Sequence, residues 1–178
     1  MTGQPFPSRI LIVEPNERAL TVMAKRVAEA GYRVVACDKP TSAMAELHRQ
    51  PADLVIAELR MPGLSGVELV RMIRYDSTVK ETPVILITGR SDASGAIDGF
   101  GAGADDVVAK PFDFSVLLAR VDRRLARARL IRELREDNAV LDARVITRAI
   151  ELGEARAALQ ASEAGLLRLQ KIVARSAG

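Results

Sequence analysis

Residues 53–66 read DLVIAELRMPGLSG. The run Leu54-Val55-Ile56-Ala57 is short, apolar and bounded by turn residues, the pattern of a parallel strand covered on both faces. It delivers one carboxylate, Glu58, to a loop closed by Met61-Pro62-Gly63, and a helix is predicted to start near Gly66. In open α/β sheets, chemistry sits just beyond the carboxyl ends of such strands, where Glu58 lies.

Working outward, residues 9–13 form a first β-branched strand, and Asn16 caps a helix running to about Ala30, with Gly31 as its C′ residue. A second strand covers 33–36, and Pro40 or Thr41 opens a second helix that stops before Pro51. The third helix spans about 66–74, the fourth strand 84–87 and the fourth helix 92–102, which Gly95, Gly99 and Gly101 weaken by about 1 kcal/mol each. Val107 and Val108 make the fifth strand, and Asp113 or Ser115 starts the fifth helix. This alternation gives an α/β fold, a doubly wound, five-stranded parallel sheet, and the expected strand order is the flavodoxin-like 2-1-3-4-5. Glu14, Glu58, Thr88 and Lys110 are then expected around one small pocket.

From Phe114 to Val173 there is no proline. A heptad runs without a slip through Ile131, Leu134, Asn138, Leu141, Val145, Arg148, Leu152, Ala155, Leu159, Ser162, Leu166, Leu169 and Val173. Upstream, Val121, Leu125 and Ala128 follow the same alternation, but Ala128, Ile131 and Leu134 step three plus three, a stammer where a domain helix becomes a coiled-coil helix. Such a helix would be roughly 90 Å long. Its stripe needs either a partner or a fold-back onto the first domain, for which there is no turn signal, and Asn138 at a core position points to a parallel homodimer. The flanks are mixed: Glu151 to Arg156 is a favourable interhelical pair, Asp137 to Asp142 a repulsive one. The expected domains are 1–125 and a dimerisation helix, 126–178.

Order and spacing carry a resemblance. Residues 9–16 (RILIVEPN), 53–58 (DLVIAE), 61–63 (MPG), 83–89 (PVILITG), 103–106 (GADD) and 110–112 (KPF) are similar to those of response-regulator receiver domains, the flavodoxin- or CheY-like family. The resemblance implies a phosphoacceptor at the position of Glu58, an acidic Mg²⁺ pocket of which Glu14 is the remnant, phosphate-sensing residues at Thr88 and Lys110, and a cis peptide before Pro111. The sequence departs from the family where the chemistry lies. Glu58 replaces an aspartate, and its carboxylate sits about 1.5 Å further out, a shift that can cost on the order of 100-fold in a positioned reaction. Pro15 replaces the second acid of the pair, and Val107 the switch aromatic. Two readings of Glu58 are open: a built-in mimic of the phosphorylated state, or a dead site on a folded docking module.

Composition bounds the rest. The chain has 178 residues, 48% of them apolar, with no Trp and the single cysteine Cys37, which fits a reducing, cytoplasmic setting. Residues 1–8 lack the features of a signal peptide, and no apolar run could span a membrane. The net charge of +3 is uneven: residues 121–178 hold 12 Lys/Arg against 8 Asp/Glu. The arginine run from Arg120 to Arg135 reads as a solvated helix face rather than a nucleic-acid patch, since no aromatic is interleaved. His48 stands alone on the second helix, and the 99–103 glycine cluster lacks the context of a phosphate loop.

The expected protein is therefore a non-enzymatic, homodimeric signalling module. It needs no cofactor and no metal, Mg²⁺ entering only if the receiver site is functional. It relays from a sensor kinase to an output domain or partner outside this chain; the helix is similar to those that precede HD-GYP, GGDEF or kinase outputs. The alternatives are a phosphorylatable response regulator and a nucleic-acid binder.

Overall fold

The computed structural model describes residues 7–176; within its last helix, the side chains of residues 167, 169, 170 and 172–176 lie outside the description. The seam assignments of Leu169 and Val173, and most of the 1–8 leader reading, therefore fall outside the described residues. The chain divides into two compact units, Met1–Arg129 and Leu130–Gly178.

The first unit is built on five strands: β1 (Arg9–Val13), β2 (Arg33–Cys37), β3 (Leu54–Glu58), β4 (Val84–Thr88) and β5 (Asp106–Ala109). They pair in parallel in the order β2-β1-β3-β4-β5. Strands β1, β3 and β4 are buried along their whole length, as expected for parallel strands covered on both faces. Their side chains alternate between two cores. Leu11, Val13, Val55, Ala57, Val84 and Leu86 face α2 (Pro40–Arg49), α3 (Gly66–Tyr75) and α4 (Ala93–Ala102). Ile10, Ile12, Leu54, Ile56, Ile85 and Ile87 face α1 (Glu17–Glu29) and the start of α5 (Phe114–Ser176), which contributes Leu117, Val121 and Leu125. The cores are filled mainly by aliphatic contacts, with Tyr32, Phe112 and Phe114 packed against the α1/α5 side, each buried Leu or Ile stabilising by roughly 1.5–3 kcal/mol.

Local chemistry sets the helix ends. The Asn16 side chain accepts from the Ala19 amide at 3.0 Å, and Gly31, at φ +91°, takes the left-handed turn after α1. Ser65 and Glu68 form a capping box at α3. β5 begins at Asp106, one residue before its first valine, where it enters the ladder opposite Ile85 of β4, and the Asp106 carboxylate is paired. Arg120 lies 2.9 Å and Arg124 3.1 Å from it. Burial would raise this carboxyl, but Arg124 and Arg120 outweigh it and hold it below the usual range. Arg129 donates to the Ser8 hydroxyl at 2.7 Å. Part of the arginine run is thus bound into the fold rather than presented to solvent. His48 has a partner as well: its Nε2 lies 2.6 Å from the Asp76 carboxylate at the end of α3.

The glycines of α4 have local explanations at two of three positions. A Cβ at Gly95 would meet the Asp92 carboxylate at 2.6 Å, and one at Gly99 would meet the Leu86 side chain at 2.8 Å. Gly101 meets nothing within 4 Å, and the structure gives no reason for it.

Gly66 is the tightest point. A Cβ there would stand 2.4 Å from the Glu58 carbonyl oxygen and 3.0 Å from the Leu59 Cα, both backbone atoms that cannot step aside. The Gly66 amide also donates to the Leu59 carbonyl at 2.9 Å, so α3 is pressed against the end of β3. Gly66→Ala is expected to cost about 3 kcal/mol in chemical denaturation, at the upper range of overpacking, and to disturb the Glu58 backbone.

Candidate functional site

The carboxyl ends of the strands converge as the topology requires. Glu14 follows the end of β1, β3 delivers Glu58, and the loop after β5 delivers Lys110, which precedes Pro111 through a cis peptide bond. The Lys110 ammonium lies 2.5 Å from Glu58 Oε2 and 3.2 Å from Glu14 Oε2. The remaining oxygens also have donors: the Asn16 amide reaches Glu14 Oε1 at 3.0 Å, and the Arg60 amide lies 3.5 Å from Glu58 Oε1. Glu14 is 3% exposed and Glu58 9%, whereas the Lys110 side chain is 41% exposed. Two buried carboxylates thus share one half-exposed cation. Burial pushes the Lys110 ammonium down, but its bonds to Glu58 and then to Glu14 outweigh that, and its pKa is raised.

Around this centre a shallow pocket is lined by Glu14, Pro15, Asn16, Glu58, Arg60, Gly89, Ser91, Asp92 and Lys110. Thr88 is not part of that lining. It is 3% exposed, and its Oγ1 has no hydrogen-bond partner. Of the four residues expected together, three meet and the fourth is buried beside them.

Arg60 and Asp92 were not singled out from the sequence. The Arg60 guanidinium grips the Asp92 carboxylate with two bonds, Nε at 2.6 Å and Nη2 at 2.8 Å. The same carboxylate caps α4, accepting from the Gly95 amide at 3.0 Å. The Arg60 bond is the largest of the interactions that pull the Asp92 carboxyl down to about 2. The pair ties the loop after Glu58 to the start of α4. The Asp92–Ser94–Gly95 spacing is a legible cap; its arginine, 32 residues earlier, is not.

Cys37 is buried, and burial pushes its thiol up to about 11, so it is a packed, protonated side chain. Among the described residues no group of three or more His, Cys, Asp or Glu side chains could hold a metal ion. The donor set here is two glutamates already bonded to an ammonium, beside a proline that offers neither carboxylate nor N–H. These residues do not fit a divalent cation without first displacing Lys110.

Residues 10–122 match the family model of the response regulator receiver domain. The chain is 36% identical over 148 residues to the regulatory protein VanRB of Enterococcus faecalis, covering 81% of this chain and 66% of that one. It is 37% identical over 122 residues to the phosphate regulon transcriptional regulatory protein PhoB of Rhizobium meliloti, covering 68% and 53%. The signal receiver domain of a signal transduction histidine kinase from Syntrophus aciditrophicus superposes with a TM-score of 0.63 at 30% identity, over 67% of this chain and 90% of that one. The chain belongs to the response regulator receiver domain family, the receivers of two-component signalling, which work with sensor histidine kinases and output domains. It spans between half and two thirds of the length of these curated relatives. Among the described residues no helix is long and apolar enough to cross a membrane.

Removing the ammonium would leave Glu14 and Glu58 facing each other. Lys110→Gln is expected to cost about 2 kcal/mol at neutral pH, less than the 3–5 of a fully buried pair because the lysine is partly solvated. The sign with pH follows from the raised pKa. The stabilisation is complete below the unfolded lysine value of about 10.4 and is lost as pH rises through the higher folded value. The stability gap between wild type and Lys110→Gln, followed by urea denaturation, should therefore close as pH rises through the folded lysine's raised value.

Proposed function

We propose that this chain is a phosphorylation-independent receiver, a pseudo-receiver that docks signalling partners in one fixed state and dimerises through its C-terminal helix. The observation that carries this reading is the Lys110 ammonium 2.5 Å from Glu58. In this role Glu58 occupies the phosphoacceptor position and holds the lysine by its own charge. Glu14 is the remnant of the acidic pocket, and Lys110 and Thr88 are the equivalents of the phosphate-sensing residues. Pro15 and Glu58 together remove the means of holding Mg²⁺ and of placing an attacking carboxylate. The module is not an enzyme in this reading. Its partners are a sensor kinase upstream and an output such as an HD-GYP, GGDEF or kinase domain. The bound arginines at 120, 124 and 129 argue against a nucleic-acid role.

One observation favours the second reading, a phosphorylatable regulator: the buried Thr88 hydroxyl has no partner, which would suit an incoming phosphoryl oxygen. Intact-mass spectrometry after incubation with acetyl phosphate and Mg²⁺ separates the two. No phosphoryl adduct is expected. Glu58→Asp alone should restore little, and Glu58→Asp with Pro15→Asp should restore Mg²⁺ binding measured by calorimetry. An adduct on Glu58 of the wild-type chain overturns the proposal.

Dimerisation rests on the seam. Within one chain Leu134, Leu141, Val145, Leu152, Leu159 and Leu166 are all more than half exposed, with Ile131 at 36%. A stripe of that length in one chain requires a partner helix. Leu141→Asp with Leu152→Asp puts charges into the seam, where an unpaired buried ion costs several kcal/mol. The variant is expected to sediment as a monomer while its receiver keeps the wild-type thermal transition.

A further inference from the structure

The charges that flank the seam carry information about how two copies would meet. With Ile131 and Leu134 as positions a and d, the helix presents Arg135, Asp142, Ala149, Arg156 and Glu163 along the e edge, all exposed in the single chain. Position d also carries Arg148, whose side chain is 85% exposed and lies 3.4 Å from Glu151. Flanking e and g charges set partner orientation in coiled coils, because parallel pairs bring g against e while antiparallel pairs bring e against e and g against g.

A parallel, in-register pair meets two conflicts. Arg148 would face Arg148 of the second copy inside the seam, and Asp137 would face Asp142 at its edge. Only Glu151 with Arg156 compensates, and the facing Asn138 residues would pair. An antiparallel pair in the register that lays Asn138 against Ser162 of the second copy removes both conflicts. Leu141 then meets Leu159, Leu134 meets Leu166, and Arg148 meets Leu152, so its aliphatic stem packs while its guanidinium stays near Glu151. Along the e edge Arg135 faces Glu163, Asp142 faces Arg156, and Ala149 faces Ala149 at the twofold axis. Symmetry doubles each charged pair. The one cost is Glu151 beside its own copy, and each Glu151 already has Arg148. Sliding the register by one heptad sets Arg135 against Arg156 in one direction, offset by Arg144 against Glu151 on the g edge, and Asp142 against Glu163 in the other, so the e-edge charges favour the Asn138–Ser162 register.

We propose that the partner of the seam is a second copy of this chain lying antiparallel, with Asn138 opposite Ser162 and the e-edge charges interlocked. This rests on the reading of the seam as a dimer interface, and the experiment separates the two. In the full chain, Ala149→Cys is expected to form a disulfide-linked dimer under mild oxidation, because position 149 meets itself. Asn138→Cys is expected not to. The buried Cys37 is common to every variant, and the wild-type chain is the control. Arg135→Glu should raise the dimer Kd by about tenfold, since it replaces two attractive pairs with two repulsive ones, and adding Glu163→Arg should restore it. In a parallel pair Arg135 faces Leu130 and Glu163 faces Ala158, so neither change would matter. Crosslinking at 138, at both positions or at neither, in a chain that sediments as a dimer, overturns the antiparallel register and leaves the dimer reading standing. A wild-type chain that sediments as a monomer overturns both.

Discussion

Glu14 and Glu58 are buried carboxylates at the ends of neighbouring strands, and the ammonium of Lys110, bonded to both, is what lets them remain there. Each comes from a different segment of the sheet edge: the residue after β1, the end of β3, and the loop after β5. Bringing three segments to one point fixes where those loops run, and much around it follows. The Asn16 amide turns toward Glu14 as α1 begins, and the Arg60 amide toward Glu58 before α3. Gly66 must be glycine because α3 closes on the Glu58 carbonyl. Two negative charges against one positive leave the site electrically unbalanced, and openness to water on the lysine side makes that tolerable.

The Arg60–Asp92 grip extends this constraint to α4. That helix contains three glycines and would be marginal alone, yet two of them make room for what fixes it. Gly95 lets the Asp92 carboxylate lie over the first turn, and Gly99 lets the helix settle on Leu86. A weak helix and a strong cap are therefore parts of one arrangement, in which local propensity is exchanged for close packing and a charged anchor.

Much of this could be read before any coordinates. Strand β3 announced itself by an apolar run ending in a carboxylate, the alternation of strands and helices implied a parallel sheet, and the resemblance to receiver domains implied its order. The meeting of Glu14, Glu58 and Lys110 followed from that order. Long-range side-chain pairing was not legible. Nothing in the spacing of Arg60 and Asp92, of Arg9 with Glu46, or of Asp106 with Arg120 and Arg124 distinguishes a partner from a solvated charge. The start of β5 lies one residue earlier than its first valine because Asp106 joins the backbone ladder opposite Ile85, although an aspartate reads as a turn residue. Thr88 was placed at the pocket by its position at the end of β4, whereas its hydroxyl is buried beside the pocket without a partner among the described residues.

The aliphatic core has an optical consequence. With no tryptophan and two tyrosines in 178 residues, the chain has almost no near-ultraviolet signature of its own. Tyr75 is 92% exposed, while the Tyr32 phenol is held by Asp122 of α5 and pushed up to about 12, first by burial and then by that bond. Tyr32 is thus a native chromophore for the docking of α5 onto the sheet. Any tryptophan introduced along the seam would be the sole indole in the molecule, so its emission would come from the helix alone against a dark receiver.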